Sequence, residues 1–175
     1  MTSSATSYFL IGPTGAGKTT VGRLLATSLN LTFIDLDEEI EARSGADIPW
    51  IFDVEGEIGF RDRESKALVD LVDRPGIVLS TGAGVVARPE NRALLTAHKP
   101  SVIWLKVDLK TQYERLRHDK GRPLLQVNDP KAKLRAMATE REPWYAECAG
   151  VQVSTGRASP NAVVKRILAG LGVGQ

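Results

Sequence analysis

Short apolar runs alternate along this chain with stretches in which apolar residues recur every three or four positions. The runs Tyr8–Ile11, Thr32–Asp35, Ile77–Ser80, Ser101–Val107 and Val151–Ser154 predict five strands. They are mostly apolar rather than strictly alternating, as expected of strands covered on both faces. The intervening segments carry the helical period. Val21, Leu24, Leu25 and Leu29 fall on one helix face, and similar patterns cover Pro89–Ala97, Leu109–Arg117, Pro130–Ala149 and Pro160–Leu171. Strand and helix in alternation predict an α/β fold of three layers, a five-stranded parallel sheet flanked by helices.

Two stretches interrupt the alternation. Residues 36–72 hold mostly helix-like sequence, too much for one crossover helix, which predicts an inserted region. Residues 117–129 are polar and basic, and Gly121 and Pro123 break any helix there; this predicts a mobile loop or lid. With no internal repeat and no low-complexity linker, residues 1–175 are expected to form one domain with a movable part.

Composition adds mainly exclusions. Hydrophobic residues are 42% and charged residues 25%, ordinary for a globular chain, and the formal net charge is only +2. That charge, spread along the sequence, gives no case for nucleic acid or an anionic membrane. Cys148 is the only cysteine, so no intrachain disulfide can form, and a packed thiol is expected rather than a nucleophile. Met1–Ser7 is polar, and Tyr8–Ile11 is too short for a signal or a membrane span. A cytoplasmic monomer is expected.

The chemistry begins at Gly12-Pro13-Thr14-Gly15-Ala16-Gly17-Lys18-Thr19, a full G-x-x-x-x-G-K-[ST] phosphate-binding loop between a predicted strand and a predicted helix. Glycines let successive backbone N–H groups curl around phosphate oxygens, and the following helix adds its positive end. Gly15, Ala16, Gly17, Lys18, Thr19 and Thr20 are therefore ATP-binding candidates. Lys18 reaches the β- and γ-phosphates, and the Thr19 hydroxyl is a candidate Mg2+ ligand. No Asn-Lys-x-Asp guanine-reading motif is present, and the chain is short for an ATP-driven motor, which leaves a small kinase. Asp35 and Asp37, in F-I-D-L-D, sit at the carboxyl end of the second predicted strand, where ligands bind in such sheets. Strand alternation would aim both at one site; the other reading is a helix N-cap followed by a first-turn acid.

Further segments are I-F-D-V-E-G-E-I-G-F-R-D-R-E, S-T-G-A-G-V-V, G-R-P-L-L and R-E-P-W-Y. Together with the phosphate loop and D-L-D, in order and from about Phe9 to Val164, they make the chain resemble the shikimate kinases. The resemblance implies transfer of the ATP γ-phosphoryl group to the 3-hydroxyl of shikimate, giving shikimate 3-phosphate and ADP. It implies ATP and shikimate as partners, with Mg2+ held by Thr19 and, through water, by Asp35. Residues 36–72 then bind the acid, and residues 117–129 close as the lid. It implies that Lys18, Asp37 and Arg122 are catalytic, Asp37 binding the substrate hydroxyls and serving as base. Arg61 and Arg141 correspond to arginines that bind the acid, Glu64 to an acid that holds an arginine in place, and Arg122 to the lid arginine over the phosphates. Arg115 and Arg157 correspond to positions at the adenine.

In one place the pattern departs from the resemblance. Three successive glycines are usual where this chain has Gly82-Ala83-Gly84. Gly82, Ala83 and Gly84 are expected at the substrate, with the central backbone N–H binding its carboxylate, and alanine keeps that donor. A positive φ at Ala83 would cost about 1–2 kcal/mol; a negative one would cost little. Altered acceptor choice on the same scaffold, or a non-catalytic nucleotide-binding regulator, are the alternative readings. His98 and His118 lack metal-like companions and are expected at the surface. Trp50 and Phe52 are expected to pack the inserted region, with Trp50 near the acid pocket.

Overall fold

The protein is described here by a computed structural model covering residues 6–174, so residues 1–5 of the polar N-terminal stretch lie outside the described residues. Five strands, β1 (Tyr8–Ile11), β2 (Thr32–Asp35), β3 (Ile77–Ser80), β4 (Val102–Lys106) and β5 (Val151–Ser154), form one sheet. Its order is β2-β3-β1-β4-β5, and every neighbouring pair runs parallel. The helices are α1 (Lys18–Leu29), α2 (Leu36–Ser44), α3 (Ile48–Val72), α4 (Pro89–Ala97), α5 (Leu109–Leu116), α6 (Pro130–Cys148) and α7 (Pro160–Leu171).

Alternation along the strands sorts their side chains into two cores. Phe9, Ile11, Ile77, Leu79, Val102 and Trp104 face one way and pack under α2, α3, α4 and α6. Leu10, Val78, Ile103, Leu105 and Val153 face the other way and meet α1 and α7. Strands apolar on both sides are what such a three-layer arrangement needs. A third, smaller cluster of Leu116, Leu125 and Leu134 ties the 117–129 segment to α5 and α6.

Element ends differ from the sequence-based expectation where capping or turns intervene. The strand expected at Ser101–Val107 is shorter, because Lys99–Ser101 forms a 3-10 turn. The fifth and sixth helices each stop one residue earlier than expected, at Leu116 and Cys148. The inserted region consists of α2 and α3, and α3 bends at Gly56, whose φ of 70° no helix contains. Cys148 is fully buried, as expected of a packing thiol. Trp50 does not pack the inserted region: it is 52% exposed, while Phe52 stacks on Phe60 at 4.8 Å. No helix among the described residues is long and apolar enough to cross a membrane.

Candidate active site

The loop between β1 and α1 lies at the carboxyl edge of the central strand, where three glycines take positive φ: Gly12 (143°), Gly15 (77°) and Gly17 (90°). At Gly12 a side chain would also collide with the Leu105 carbonyl. Lys18 is buried in the first turn of α1 and donates to the Gly12 and Pro13 carbonyls at 2.7 and 2.9 Å. Burial lowers its ammonium pKa to about 7, and the Arg122 guanidinium adds to the shift. Thr14, Gly15, Gly17, Lys18, Thr19 and Thr20 line a polar recess of about 230 Å³ with Asp35, Asp37 and Arg122.

Asp35 ends β2 and caps α2, its Oδ1 accepting from the backbone N–H of Asp37 and Glu38 at 2.9 and 3.1 Å. Its Oδ2 accepts from the Thr19 hydroxyl at 2.9 Å. The N-cap reading of this residue is thus correct, and it coexists with contact to the phosphate loop. Asp37 lies on the first turn of α2 rather than on the strand, so strand alternation is not what pairs it with Asp35. The tight strand-to-helix turn does so. Enclosure raises the Asp37 pKa, and the Asp35 charge raises it further. Its Oδ1 is buried with no hydrogen-bond partner.

Across from the loop, a second recess of about 260 Å³ gathers side chains distant in sequence, among them Asp37, Arg61, Glu64 and Arg141. Arg61 and Glu64 are both buried on α3, one turn apart, and pair at 2.7 Å. Desolvation raises the Glu64 pKa against the pull of Arg61. Arg141 comes from the middle of α6 and is 7% exposed. Four buried polar atoms here lack partners: Arg61 Nε, Glu64 Oε2, Arg141 Nε and Asp37 Oδ1. Unpaired buried groups cost roughly 1–3 kcal/mol each, so this cluster is built to be completed by a polar ligand.

Gly82-Ala83-Gly84 forms the wall between the two recesses. A side chain at Gly82 would stand 2.5 Å from Glu64 Oε2, and one at Gly84 would collide with the Arg61 guanidinium. A methyl at either outer position would have to displace one of these buried charged groups. The middle position is different. Among the described residues only Asn30 is a non-glycine with positive φ, so Ala83 carries no left-handed strain.

Arg122 reaches both recesses from the 117–129 segment and pairs with Asp119 at 3.2 Å on an exposed surface. Arg115 bridges Gly15 and Gly156 by donating to their carbonyls, each at 2.8 Å, so it ties the phosphate loop to the turn after β5. Arg157 is exposed in that turn. His118 is exposed; His98 is partly buried, its ring 5.5 Å from that of Phe9, and neither lines either recess. Trp50 lines neither recess, whereas Ile48, Pro49, Phe52 and Phe60 form the apolar wall beside Arg61. Thr14, at the meeting of both recesses, and Tyr145, whose hydroxyl donates to the Ala83 carbonyl at 2.5 Å, were not singled out by the sequence reading. Tyr145 follows Arg141 by four residues on one helix, a spacing that puts both on one face and was the available signal. A larger cleft of about 470 Å³ between β4, α5 and α6 contains none of Lys18, Asp37 or Arg61.

The shikimate kinase family profile matches residues 14–171. A shikimate kinase from Legionella pneumophila (strain Corby) is 52% identical over 162 residues, 93% of this chain and 92% of that protein. One from Halorhodospira halophila is 50% identical over 163 residues, with the same shares covered. Among solved structures, a shikimate kinase from Acinetobacter baumannii in complex with shikimate superposes with a TM-score of 0.90. It is 43% identical, with 94% of this chain and 91% of that one covered. A gluconokinase from Sinorhizobium meliloti, at 20% identity and a TM-score of 0.63, shares the fold alone. A phosphate loop facing a cluster of arginines and carboxylates, in a chain alike over nearly its whole length to these enzymes, belongs to the shikimate kinase family.

Proposed function

We propose that this protein transfers the γ-phosphoryl group of ATP to the 3-hydroxyl of shikimate, releasing shikimate 3-phosphate and ADP. The observation that carries the reading is the shared wall. The recess holding Lys18 and the recess holding Arg61, Glu64 and Arg141 have Thr14, Asp37, Gly82, Ala83 and Arg122 in common. An acid bound in one lies beside a phosphate bound in the other.

In this reading Arg61 and Arg141 hold the carboxylate, with the backbone N–H groups of residues 82–84 beside them; planar guanidinium groups suit that partner. Glu64 holds Arg61 at its post. Asp37 accepts the proton of the attacking hydroxyl, and its raised pKa brings a carboxylate nearer to the operating pH of a general base. Lys18 leaves the Gly12 and Pro13 carbonyls for phosphate oxygens. Arg122 closes with residues 117–129, which serve as the lid, while residues 36–72 serve as the acid-binding insertion. Closure excludes water that would otherwise compete for the phosphoryl group. Gly15, Ala16, Gly17, Thr19 and Thr20 hold the ATP phosphates, with Arg115 and Arg157 near the base.

The donor set suits Mg2+. Thr19 and Asp35 place two hard oxygen donors together, and no group of three His, Cys, Asp or Glu among the described residues could hold a metal alone. Mg2+ is ordinarily held by one or two protein oxygens, with phosphate and water completing its shell. When bound, it would neutralise charge on the phosphates.

ADP release measured with and without shikimate tests the assignment. Shikimate-dependent turnover is expected; ATP turnover indifferent to shikimate, alongside turnover with another polyol acid, would overturn it.

A further inference from the structure

The wall between the recesses is a turn whose orientation the backbone alone does not fix. Val85 N–H donates to the Gly82 carbonyl at 3.1 Å, closing a four-residue turn with Ala83 and Gly84 at its centre. Gly84 has φ −94° and ψ 7°, the values of the third residue of a type I turn. Flipping the 83–84 peptide gives a type II turn and keeps the same closing bond. The flip requires positive φ at Gly84, which glycine supplies freely. It reverses the Ala83 carbonyl and the Gly84 N–H together, because the two are antiparallel across a trans peptide.

One contact resists the flip. The Tyr145 hydroxyl donates to the Ala83 carbonyl at 2.5 Å, the only hydrogen bond that carbonyl receives among the described residues. Tyr145 is 1% exposed, and its ring packs on Trp104 with centroids 5.6 Å apart, so the hydroxyl is fixed in place. Burial pushes its pKa up to about 12, which keeps it a donor at any working pH. It lines the cleft behind the wall, whereas Gly84 lines the acid-side recess. Arg141 lines both that cleft and the acid-side recess and lies beside the Tyr145 hydroxyl, so the bond fixes the turn next to the acid-side arginine, with the Gly84 N–H pointing opposite to the carbonyl.

We propose that Tyr145 is a positioning residue for the acid subsite, latching the Gly82–Val85 turn in its type I form beside Arg141. The proposal rests on the shikimate reading above. Releasing the latch lets the 83–84 peptide flip and reverses the Gly84 N–H, which lines the acid-side recess alone, so binding of the acid weakens more than binding of the nucleotide.

The test is a steady-state comparison of wild type, Tyr145→Phe and Tyr145→3-fluorotyrosine, the last made by site-specific incorporation. Phenylalanine keeps the ring and removes the donor; the fluorinated ring keeps a stronger one. Tyr145→Phe should raise the shikimate KM about tenfold, the effect of one well-formed hydrogen bond, with the ATP KM within about twofold and kcat within about threefold. The fluorinated enzyme, with its stronger donor, should lower the shikimate KM below that of the wild type. A shikimate KM that ignores both substitutions overturns the latch, as does a Tyr145→Phe loss shared equally between shikimate and ATP, which marks a purely structural tyrosine. The fluorinated variant keeps the ring and its hydroxyl, so it is informative even if the phenylalanine variant folds poorly. Wild-type turnover with shikimate, run alongside, separates failure of the latch from failure of the substrate assignment.

Discussion

Around Lys18 the polar groups that await a ligand belong to the main chain: a loop curled by Gly12, Gly15 and Gly17, and the free N–H groups that begin α1. Around Arg61 they are side chains from α2, α3 and α6, buried, charged and only partly paired. The contrast has an energetic meaning. A backbone cradle is held by turn geometry and exists whether or not phosphate is present. A cluster of buried charges is held by its internal pairings and stays incomplete until an acid arrives. Changes on the acid side should therefore move stability and binding together, while changes on the phosphate side should move nucleotide binding and protonation.

Asp37 offers the largest expected effect. Asp37→Asn removes the proposed base, and kcat should fall by about 10²–10⁴-fold. Stability should rise rather than fall, because the carboxylate is disfavoured by burial and by Asp35. The sign follows from linkage. With a folded pKa above the unfolded one, the native state holds more protons between the two values, so the carboxyl's contribution is most favourable below the ordinary carboxylate range. It weakens as pH rises through the raised value. The gain of the asparagine variant should accordingly be larger at neutral pH than at pH 4, read as a difference in melting temperature. A variant that melts lower and keeps its kcat would remove Asp37 from both roles.

Arg61→Ala should be the next largest, and here the two regions part most clearly. Leaving Glu64 buried without its partner is expected to cost about 3–5 kcal/mol, and shikimate binding should weaken far more than ATP binding. Denaturant melts and separate KM values read both. Equal loss of the two substrates would deny that the acid side is independent of the phosphate side.

The two regions also differ in how far they could be read from sequence. The phosphate loop was legible residue by residue, since the curvature it needs is encoded locally in its glycines. Gly82, Arg61 and Arg141 lie tens of residues apart, and no local pattern states that they meet; only the resemblance brought them together. The pairing of Asp35 with Asp37 was expected for the wrong reason. Periodicity assumes the strand continues, whereas Asp35 ends it by capping α2. Trp50 was expected to pack the inserted region with Phe52, but only Phe52 does so, stacking on Phe60, while Trp50 stays half exposed. The Tyr145 contact depends on which face α6 turns to β4, and a single sequence does not give that rotation.

A smaller effect belongs to the phosphate side. Lys18, with its pKa lowered to about 7 mainly by burial, is largely neutral at pH 8 in the free protein. Phosphate oxygens favour the charged form, so ATP binding at pH 8 should take up nearly one proton, about 0.9 if the bound pKa returns above 10. Calorimetry in two buffers of different ionisation enthalpy measures this uptake directly, and Lys18→Met should abolish it. In the free protein the same shift makes stability rise with pH between about 7 and 10.5, where the unfolded chain holds the extra proton. No uptake in the wild type would mean that the lysine is already charged at rest.

Ala83→Gly should do least, and that smallness is itself informative about the wall where the two regions meet. Ala83 has no positive φ, so restoring glycine relieves no strain. What it adds is freedom to the unfolded chain, costing about 0.4–1 kcal/mol of stability. It also loosens the turn that Tyr145 holds through the Ala83 carbonyl. The shikimate KM should therefore rise slightly, by about two- to fivefold if all of that freedom is expressed at the turn. A drop in shikimate KM would instead show that the alanine methyl intrudes on the acid. Because Gly82 and Gly84 are pressed against Glu64 and Arg61, the same methyl at either flank should be far more damaging. Alanine is tolerated at the middle position because the backbone there keeps a φ that any residue adopts, while the outer two positions are closed in by Glu64 and Arg61.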